Sequence, residues 1–376
     1  MKKAVLVFLC IVLMCSFLGG CRGTEPPREL PSKDTQTPNI GEMLCGVMAL
    51  RCELTTASGA TAASSDGTAI VFETVGNDAY LVTNYHVVYN SFSGSDAQSV
   101  AKTIKAMPYG AESSEGIDAE CVWFSKEYDL AVLCVRGVTD LFPAIAVPSI
   151  DLSRRVGITD EVLIAGNTEG AGIALHKGNV SRPSEWVTIP SEYSIFDLSL
   201  RLIRYDAAVN RGDSGGGLFA SDGTLLGVVN ARRTDHAGGY AIPMQTVAPI
   251  ARQVIDAHKK QAEAAAYRLR FGVNVTEDAR KTEYDDTAQM PYAVIDLRVA
   301  SLTPGCVGTL FLEEGDLLLG LTKNDEKEIL FTEARLLEEA LLSCRAGDRL
   351  VWRYARGESI LTYEITVSEL HMEAIQ

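Results

Sequence analysis

The sequence has no surplus of positive charge, no apolar run of membrane-spanning length, no C-x-x-C pair and no internal repeat. Each absence excludes something. With 34 Lys and Arg against 49 Asp and Glu, a formal charge of −15, the chain lacks the basic footprint that nonspecific nucleic-acid binding needs, so no nucleic-acid partner is expected. The cysteines have no metal-ligand spacing, and no metal or cofactor is expected. Without a repeat, the chain cannot be read as a solenoid and must build separate cores.

What is present suggests an exported protein of two or three units. The chain has 376 residues, 47% hydrophobic and 22% charged, an ordinary balance that can bury a sizeable core. After the basic Met1-Lys2-Lys3, the run Ala4 to Phe17 is apolar and uncharged. It is too short for a comfortable membrane span and the right length for a signal-peptide core. Leu18-Gly19-Gly20-Cys21 follows and resembles the bacterial lipobox, so residues 1–20 are expected to be a lipoprotein signal and Cys21 the lipidation site. An uncleaved anchor or a plain signal peptide are the alternatives. Residues 21–42 are polar and rich in proline, and read as a tether. Six further cysteines, Cys45, Cys52, Cys121, Cys134, Cys306 and Cys344, allow three disulfides in an exported protein. Proximity in sequence suggests Cys45–Cys52, Cys121–Cys134 and Cys306–Cys344, and free buried thiols are the equal alternative.

From about Leu44 to Pro243 short β-like runs alternate with Gly, Asp and Asn, for example Thr68–Glu73, Ala79–Thr83, Leu130–Val135, Glu161–Ala165 and Leu225–Val229. This spacing suggests an all-β barrel or sandwich. Thr246 to Arg268 reads as a helix with Val247, Ile250, Val254 and Ile255 on one face. A second unit, about 269–370, has five strand-like runs. It also has one helix from Thr332 to Ser343, with Thr332 as the expected cap and Leu336, Leu337, Ala340 and Leu341 as its stripe.

The stretch Asn210 to Leu218, NRGDSGGGL, sets a serine among glycines. A serine hydroxyl is a weak nucleophile unless a base takes its proton, and an imidazole serves as that base when a carboxylate fixes its tautomer. His86 ends one β-like run in TNYHVV, and Asp129 starts another in YDLAVL. Each residue alone is weak evidence, since a lone histidine or a strand-start aspartate is usually structural. Together, His86, Asp129 and Ser214 form the constellation of a serine hydrolase.

These blocks, with Gly166-Asn167, Gly178-Asn179-Val180-Ser181 and Tyr240-Ala241-Ile242-Pro243, resemble the HtrA (Deg) serine proteases over about residues 59–250. The resemblance implies a mainly β fold: a chymotrypsin-like double β-barrel, a connecting helix and a small α+β PDZ domain. The implied boundaries are 43–250 for the protease domain, 251–268 for the linker helix and 269–370 for the PDZ domain. It also implies an oxyanion hole from the backbone at Gly212, Asp213 and Ser214, with glycine at Gly212 because a side chain there would oppose the backbone required. Ala208, Val209, Val229, Asn230 and Ala231 would line an uncharged pocket for a small aliphatic residue. Arg232 and Arg233 are expected as solvated surface arginines, with reach to the pocket rim as the alternative. Asp213 and Gly217 depart from the family pattern; Arg211 or Arg182 is the suggested partner of Asp213. The segment 182–198 falls where the family keeps a regulatory loop.

By the same resemblance, residues 269–370 would take C-terminal peptides on the amides of Phe271, Gly272 and Val273, beside Leu336, Leu337 and Ala340. The bland reading of those aliphatic residues is core. The expected protein is thus a serine endopeptidase acting on unfolded or exposed polypeptides outside the cytoplasm. It would be lipid-anchored to the bacterial cell-envelope membrane and, as is usual in the family, homotrimeric. The alternatives are a catalytically silent, lipid-anchored PDZ sensor and a chaperone with secondary protease activity.

Overall fold

The computed structural model describes residues 40–93, 100–189, 197–232, 238–285 and 290–376. The expected signal segment, Cys21, residues 22–39 of the tether and Arg233 lie outside them, as do residues 190–196 and 286–289.

Six strands close the first barrel: β1 (Val47–Thr55), β2 (Thr61–Val75), β3 (Asp78–Thr83), β4 (Thr103–Pro108), β5 (Ile117–Ser125) and β6 (Leu130–Val135), in the order β1-β2-β3-β6-β5-β4. A second set closes another: β7 (Glu161–Asn167), β8 (Ile173–Ile189), β9 (Leu198–Tyr205), β10 (Gly217–Ala220), β11 (Leu225–Arg232) and β12 (Gly239–Pro243), ordered β10-β11-β12-β9-β8-β7. All pairings within the barrels are antiparallel. Closure leaves no free sheet edge, and the inward residues of each strand fill the interior. The mainly β, double-barrel expectation therefore holds. In the segment 182–198, where a regulatory loop is expected, residues 182–189 and Leu198 are strand, and β8 and β9 pair from Val180↔Tyr205 to Ile189↔Leu198.

The helix after β12 runs Met244–Lys259 and buries Val247, Ile250, Val254 and Ile255 against the barrels. The expected continuation to residue 268 is corrected. Lys260 caps the helix, Gln261 takes a left-handed φ of 57°, and the chain turns back to enter strand β13 (Tyr267–Leu269). The alanine-rich stretch has helix propensity, but turning back buries Ala266 in the core.

Beyond it lie β14 (Val273–Asp285), β15 (Met290–Leu302), β16 (Leu317–Lys323), β17 (Ile329–Leu330), β18 (Arg349–Arg356), β19 (Ser359–Thr366) and β20 (Met372–Ala374). The main sheet is ordered β14-β15-β16-β18-β19, with β17 beside β16, while β20 pairs with β13. The helix Ala334–Ser343 packs on this sheet through Ala334, Leu337 and Ala340. Thr332 does not cap it; the Glu277 carboxylate on β14 accepts the Ala334 N–H at 2.8 Å. The sheet unit is fastened to the barrels. Leu342 and Ile375 enter the same core as the second barrel, Arg155 pairs with Glu339 at 2.9 Å and Arg201 with Glu338 at 2.9 Å. Arg268 on β13 reaches Glu127, the Tyr128 hydroxyl (2.9 Å) and Glu373 (2.7 Å).

All six described cysteines are free thiols. Cys121 lies opposite Leu133 while Cys134 lies opposite Glu120, so Cys121 and Cys134 point to opposite faces of the sheet and cannot bond. Cys52 sits well along β1 from Cys45, too far for a bridge at about 3.3 Å per residue. Burial pushes the thiols of Cys52, Cys121 and Cys344 up to about 12, which makes them inert at neutral pH.

The core of the C-terminal sheet centres on Trp352, stacked on Phe271 with centroids 4.4 Å apart and flanked by Phe311 and Phe331. Its indole N–H has no acceptor among the described residues. Trp352→Ala should therefore cost about 3–5 kcal/mol. Trp352→Phe should cost much less, because it removes an unsatisfied donor worth about 1–3 kcal/mol when buried. Urea titration followed by circular dichroism measures both.

Candidate active site

The site lies where loops of the two barrels meet. The carboxylate of Asp129 is buried, at 1% exposure, at the turn between β5 and β6. It accepts the His86 backbone N–H at 2.9 Å on Oδ1, and His86 Nδ1–H at 2.6 Å and the Asn230 amide at 2.7 Å on Oδ2. Its carbonyl accepts the side chain of Asn84 at 3.0 Å. Asp129 adopts φ of 47°, a conformation that costs a non-glycine residue of order 1–3 kcal/mol and is held here by these bonds. A buried carboxylate is tolerated only when its oxygens are paired, and these three donors do so.

His86 sits in the single helical turn Tyr85–Val88 that follows β3. Tyr85 anchors this turn in the first barrel by stacking on Phe124, centroids 4.3 Å apart. Burial pushes the imidazole pKa down. The charge of Asp129 and its hydrogen bond outweigh that, and the net shift is upward from 6.5. Because Asp129 accepts at Nδ1, the neutral ring presents Nε2 as its base.

Ser214 stands on the loop before β10, and its Oγ donates to the Asn230 carbonyl at 3.1 Å. Among the described residues it makes no hydrogen bond to His86. The three residues are nevertheless joined on one continuous chain, His86–Asp129–Asn230–Ser214. Asn230 was expected to line the pocket. Instead a bulge between Val229 and Ala231 in β11 turns its buried side chain toward Asp129 and its carbonyl toward Ser214. Val229 is also fully buried, and meets the loop by backbone alone, accepting Gly215 N–H at 2.8 Å and donating to Gly216 O at 2.8 Å. Ala208 is exposed, Val209 and Ala231 are half-buried, and Arg232 is exposed.

Thr68 of β2 ties this loop to the first barrel. Its hydroxyl accepts the Asn167 N–H at 2.8 Å and donates to Gly212 O at 2.7 Å, and its N–H donates to Ser214 O at 2.9 Å. Two glycines make the approach possible. Gly212 has φ of 90°, and a Cβ there would stand 2.0 Å from Asn167 O. Gly215 has φ of 83°, and a Cβ would stand 2.0 Å from Thr68 O. Among the described residues, the N–H groups of Gly212 and Ser214 have no acceptor, as befits donors kept for a ligand. Asp213 meets neither Arg211 nor Arg182. It is fully buried and accepts the Thr168 hydroxyl and the Asn210 N–H, each at 2.7 Å.

The peptide-binding residues expected in the C-terminal unit divide. Phe271, Leu337 and Ala340 are buried in its core, and Leu336 packs half-buried against it, so these side chains do not offer a groove. The Phe271 N–H is already donated to Leu269 O at 2.8 Å. Gly272 and Val273 are half-buried at the start of β14.

The profile of the trypsin-like peptidase domain matches residues 67–228. The chain is 26% identical over 322 residues to the serine protease Do-like HtrA of Lactococcus lactis subsp. cremoris, covering 81% of this chain and 71% of that one. It is 30% identical over 182 residues to a probable periplasmic serine endoprotease, DegP-like, of Brucella suis biovar 1, covering 48% and 31%. Among solved structures, the HtrA-type protease AlgW with a tripeptide superposes with a TM-score of 0.54 at 22% identity, covering 88% of this chain and 97% of that one. Two closed barrels with this loop architecture define a trypsin-like peptidase domain. Within that class, the chain is similar to the HtrA/DegP serine proteases.

If His86 is the base, catalysis requires its neutral form, so the acid limb of kcat/KM should fall above pH 6.5. The linked stability has the opposite sense. A raised folded-state pKa means the His86–Asp129 pair stabilises most below pH 6.5, and that stabilisation fades as pH rises through the folded value. Asp129→Asn should lower kcat by about 10³–10⁴-fold and move the limb to lower pH. A pH–rate series on both proteins tests this.

Proposed function

We propose that this chain is a serine endopeptidase that cuts unfolded or exposed polypeptides outside the cytoplasm through an acyl-Ser214 intermediate. The observation that carries the reading is the continuous chain His86–Asp129–Asn230–Ser214, closed around a carboxylate that His86 and Asn230 satisfy. When substrate enters, Ser214 Oγ exchanges the Asn230 carbonyl for His86 Nε2 and gives up its proton as it attacks the scissile carbonyl. The oxygen that becomes negative is received by the N–H groups of Gly212 and Ser214, with Asp213 shaping the turn. His86, stabilised as imidazolium by Asp129, then protonates the leaving amine, and water releases the acyl group by the same route.

Ala208, Val209 and Ala231 bring no charge to the loop edges, which favours a small or medium aliphatic residue before the cut. The C-terminal unit is read as a PDZ domain, taking a polypeptide C-terminus as a strand beside β14 with the amides at Gly272 and Val273. The protein is proposed to act in envelope protein quality control, anchored through lipid on Cys21 and assembled as a homotrimer through its protease domains. The periplasmic name of the Brucella relative supports the compartment. Among the described residues no helix is long and apolar enough to cross a membrane.

Two measurements test the reading. Digestion of an unfolded protein, read by mass spectrometry, should show cuts by the wild type and a loss of about 10⁵–10⁶-fold in Ser214→Ala at unchanged melting temperature. Absence of a fluorophosphonate adduct on Ser214 under every activating condition would instead favour a silent PDZ sensor. Radiolabelled palmitate should enter the wild type and not Cys21→Ala.

A further inference from the structure

We infer that Asp213, acting through the hydroxyl of Thr168, is the positioning residue that holds the Arg211–Gly212 peptide in its donor-forward orientation. This inference rests on the peptidase reading above and concerns how its oxyanion donors are set.

Asp213 is completely buried, yet no lysine or arginine among the described residues pairs with it. Its two oxygens are divided between Thr168 Oγ1 at 2.7 Å and the N–H of Asn210 at 2.7 Å. A hydroxyl has one proton. Thr168 gives it to the carboxylate, so the contact of Thr168 Oγ1 with His176 Nε2 at 3.1 Å requires the imidazole to donate. The chain therefore runs His176 Nε2–H to Thr168 Oγ–H to Asp213 Oδ1. It fixes the tautomer of a histidine that the triad does not use.

Thr168 opens the short turn Thr168–Gly170. The next residue, Glu169, held at φ of 56°, donates its N–H to Arg211 O at 2.6 Å. A trans peptide places its C=O and N–H on opposite sides. Tying the Arg211 carbonyl to Glu169 thus turns the Gly212 N–H the other way, where it meets no protein acceptor. Gly212 O is tied separately to Thr68. Among the described residues no other hydrogen bond restrains the 211–212 peptide, and glycine at 212 permits its rotation. The loop is pressed close enough for this to work, since a Cβ on Gly166 would lie 2.8 Å from the Asp213 carboxylate. The Asp213–Thr168 bond is the clamp that keeps Glu169 in reach of Arg211. A neutral hydroxyl and a backbone amide here do what a cation would otherwise do for a buried aspartate.

The test compares Thr168→Val, Thr168→Ser and Thr168→Cys on a chromogenic peptide substrate, together with amide hydrogen exchange of residues 167–172 and 209–216. Thr168→Val should lose about 10–100-fold in kcat at near-constant KM, as expected for a misaligned oxyanion donor. Its exchange should quicken at Glu169. Thr168→Ser, which keeps the donor, should return kcat to within about threefold and restore protection. If Thr168→Val does not fold, Thr168→Cys, of similar size but a weak donor, should fall at least about tenfold below Thr168→Ser. A valine variant, or failing that a cysteine variant, with wild-type kcat and exchange overturns the inference. So does a loss of kcat that serine does not rescue. If the wild type itself cuts nothing while the exchange pattern follows the hydroxyl, the peptidase reading fails and the clamp stands.

Discussion

Everything at the centre of this molecule depends on keeping one carboxylate out of water. Asp129 is nearly inaccessible, and an ionised group in that position is destabilising unless its oxygens are paired. The donors come from two places: His86 on the first barrel, by backbone and ring, and Asn230 on the bulge of β11 in the second. Neither barrel alone satisfies the group. The apposition of the barrels, the left-handed turn at Asp129 and the bulge at Asn230 are three consequences of that single demand.

The loop carrying Ser214 is governed by a different constraint, the closeness of backbone to backbone. Thr68, Asn167 and Glu169 reach its main-chain atoms directly. That closeness leaves no room for side chains at Gly212 or Gly215 and converts a flexible glycine-rich segment into a rigid one. The C-terminal sheet is bound to this arrangement through Arg268, which grips Glu127 and Tyr128 immediately before Asp129.

The sequence carried part of this plainly. Short β-like runs between turn residues made an all-β barrel or sandwich legible, and the family resemblance of the motifs narrowed it to a double barrel. His86, Asp129 and Ser214 drew notice because local motifs name the residue types such chemistry requires. Thr68 and Thr168 did not, and Asn230 was read only as a pocket residue, since each acts through a hydroxyl, carbonyl or amide on a partner far along the chain, and no local pattern marks such a contact. Thr68 and Gly212, for instance, are 144 residues apart. Periodicity exposed the apolar stripe of the helix Ala334–Ser343 but not what it faces, and Leu337 and Ala340 proved to be core. Sequence proximity misled for Cys121 and Cys134 because strand pairing sets them on opposite faces. Propensity overran the helix that ends at Lys259, since tertiary burial of Ala266 outweighed it.

The Thr68 side chain has a consequence for how such a chain comes to life. It belongs to the first barrel by sequence, yet its hydroxyl and amide complete the loop of the second. A chain whose first barrel is unfolded therefore has a serine loop without the Thr68 contacts that seat it. On the proposed chemistry, folding itself does the work that a removable propeptide does in secreted zymogens.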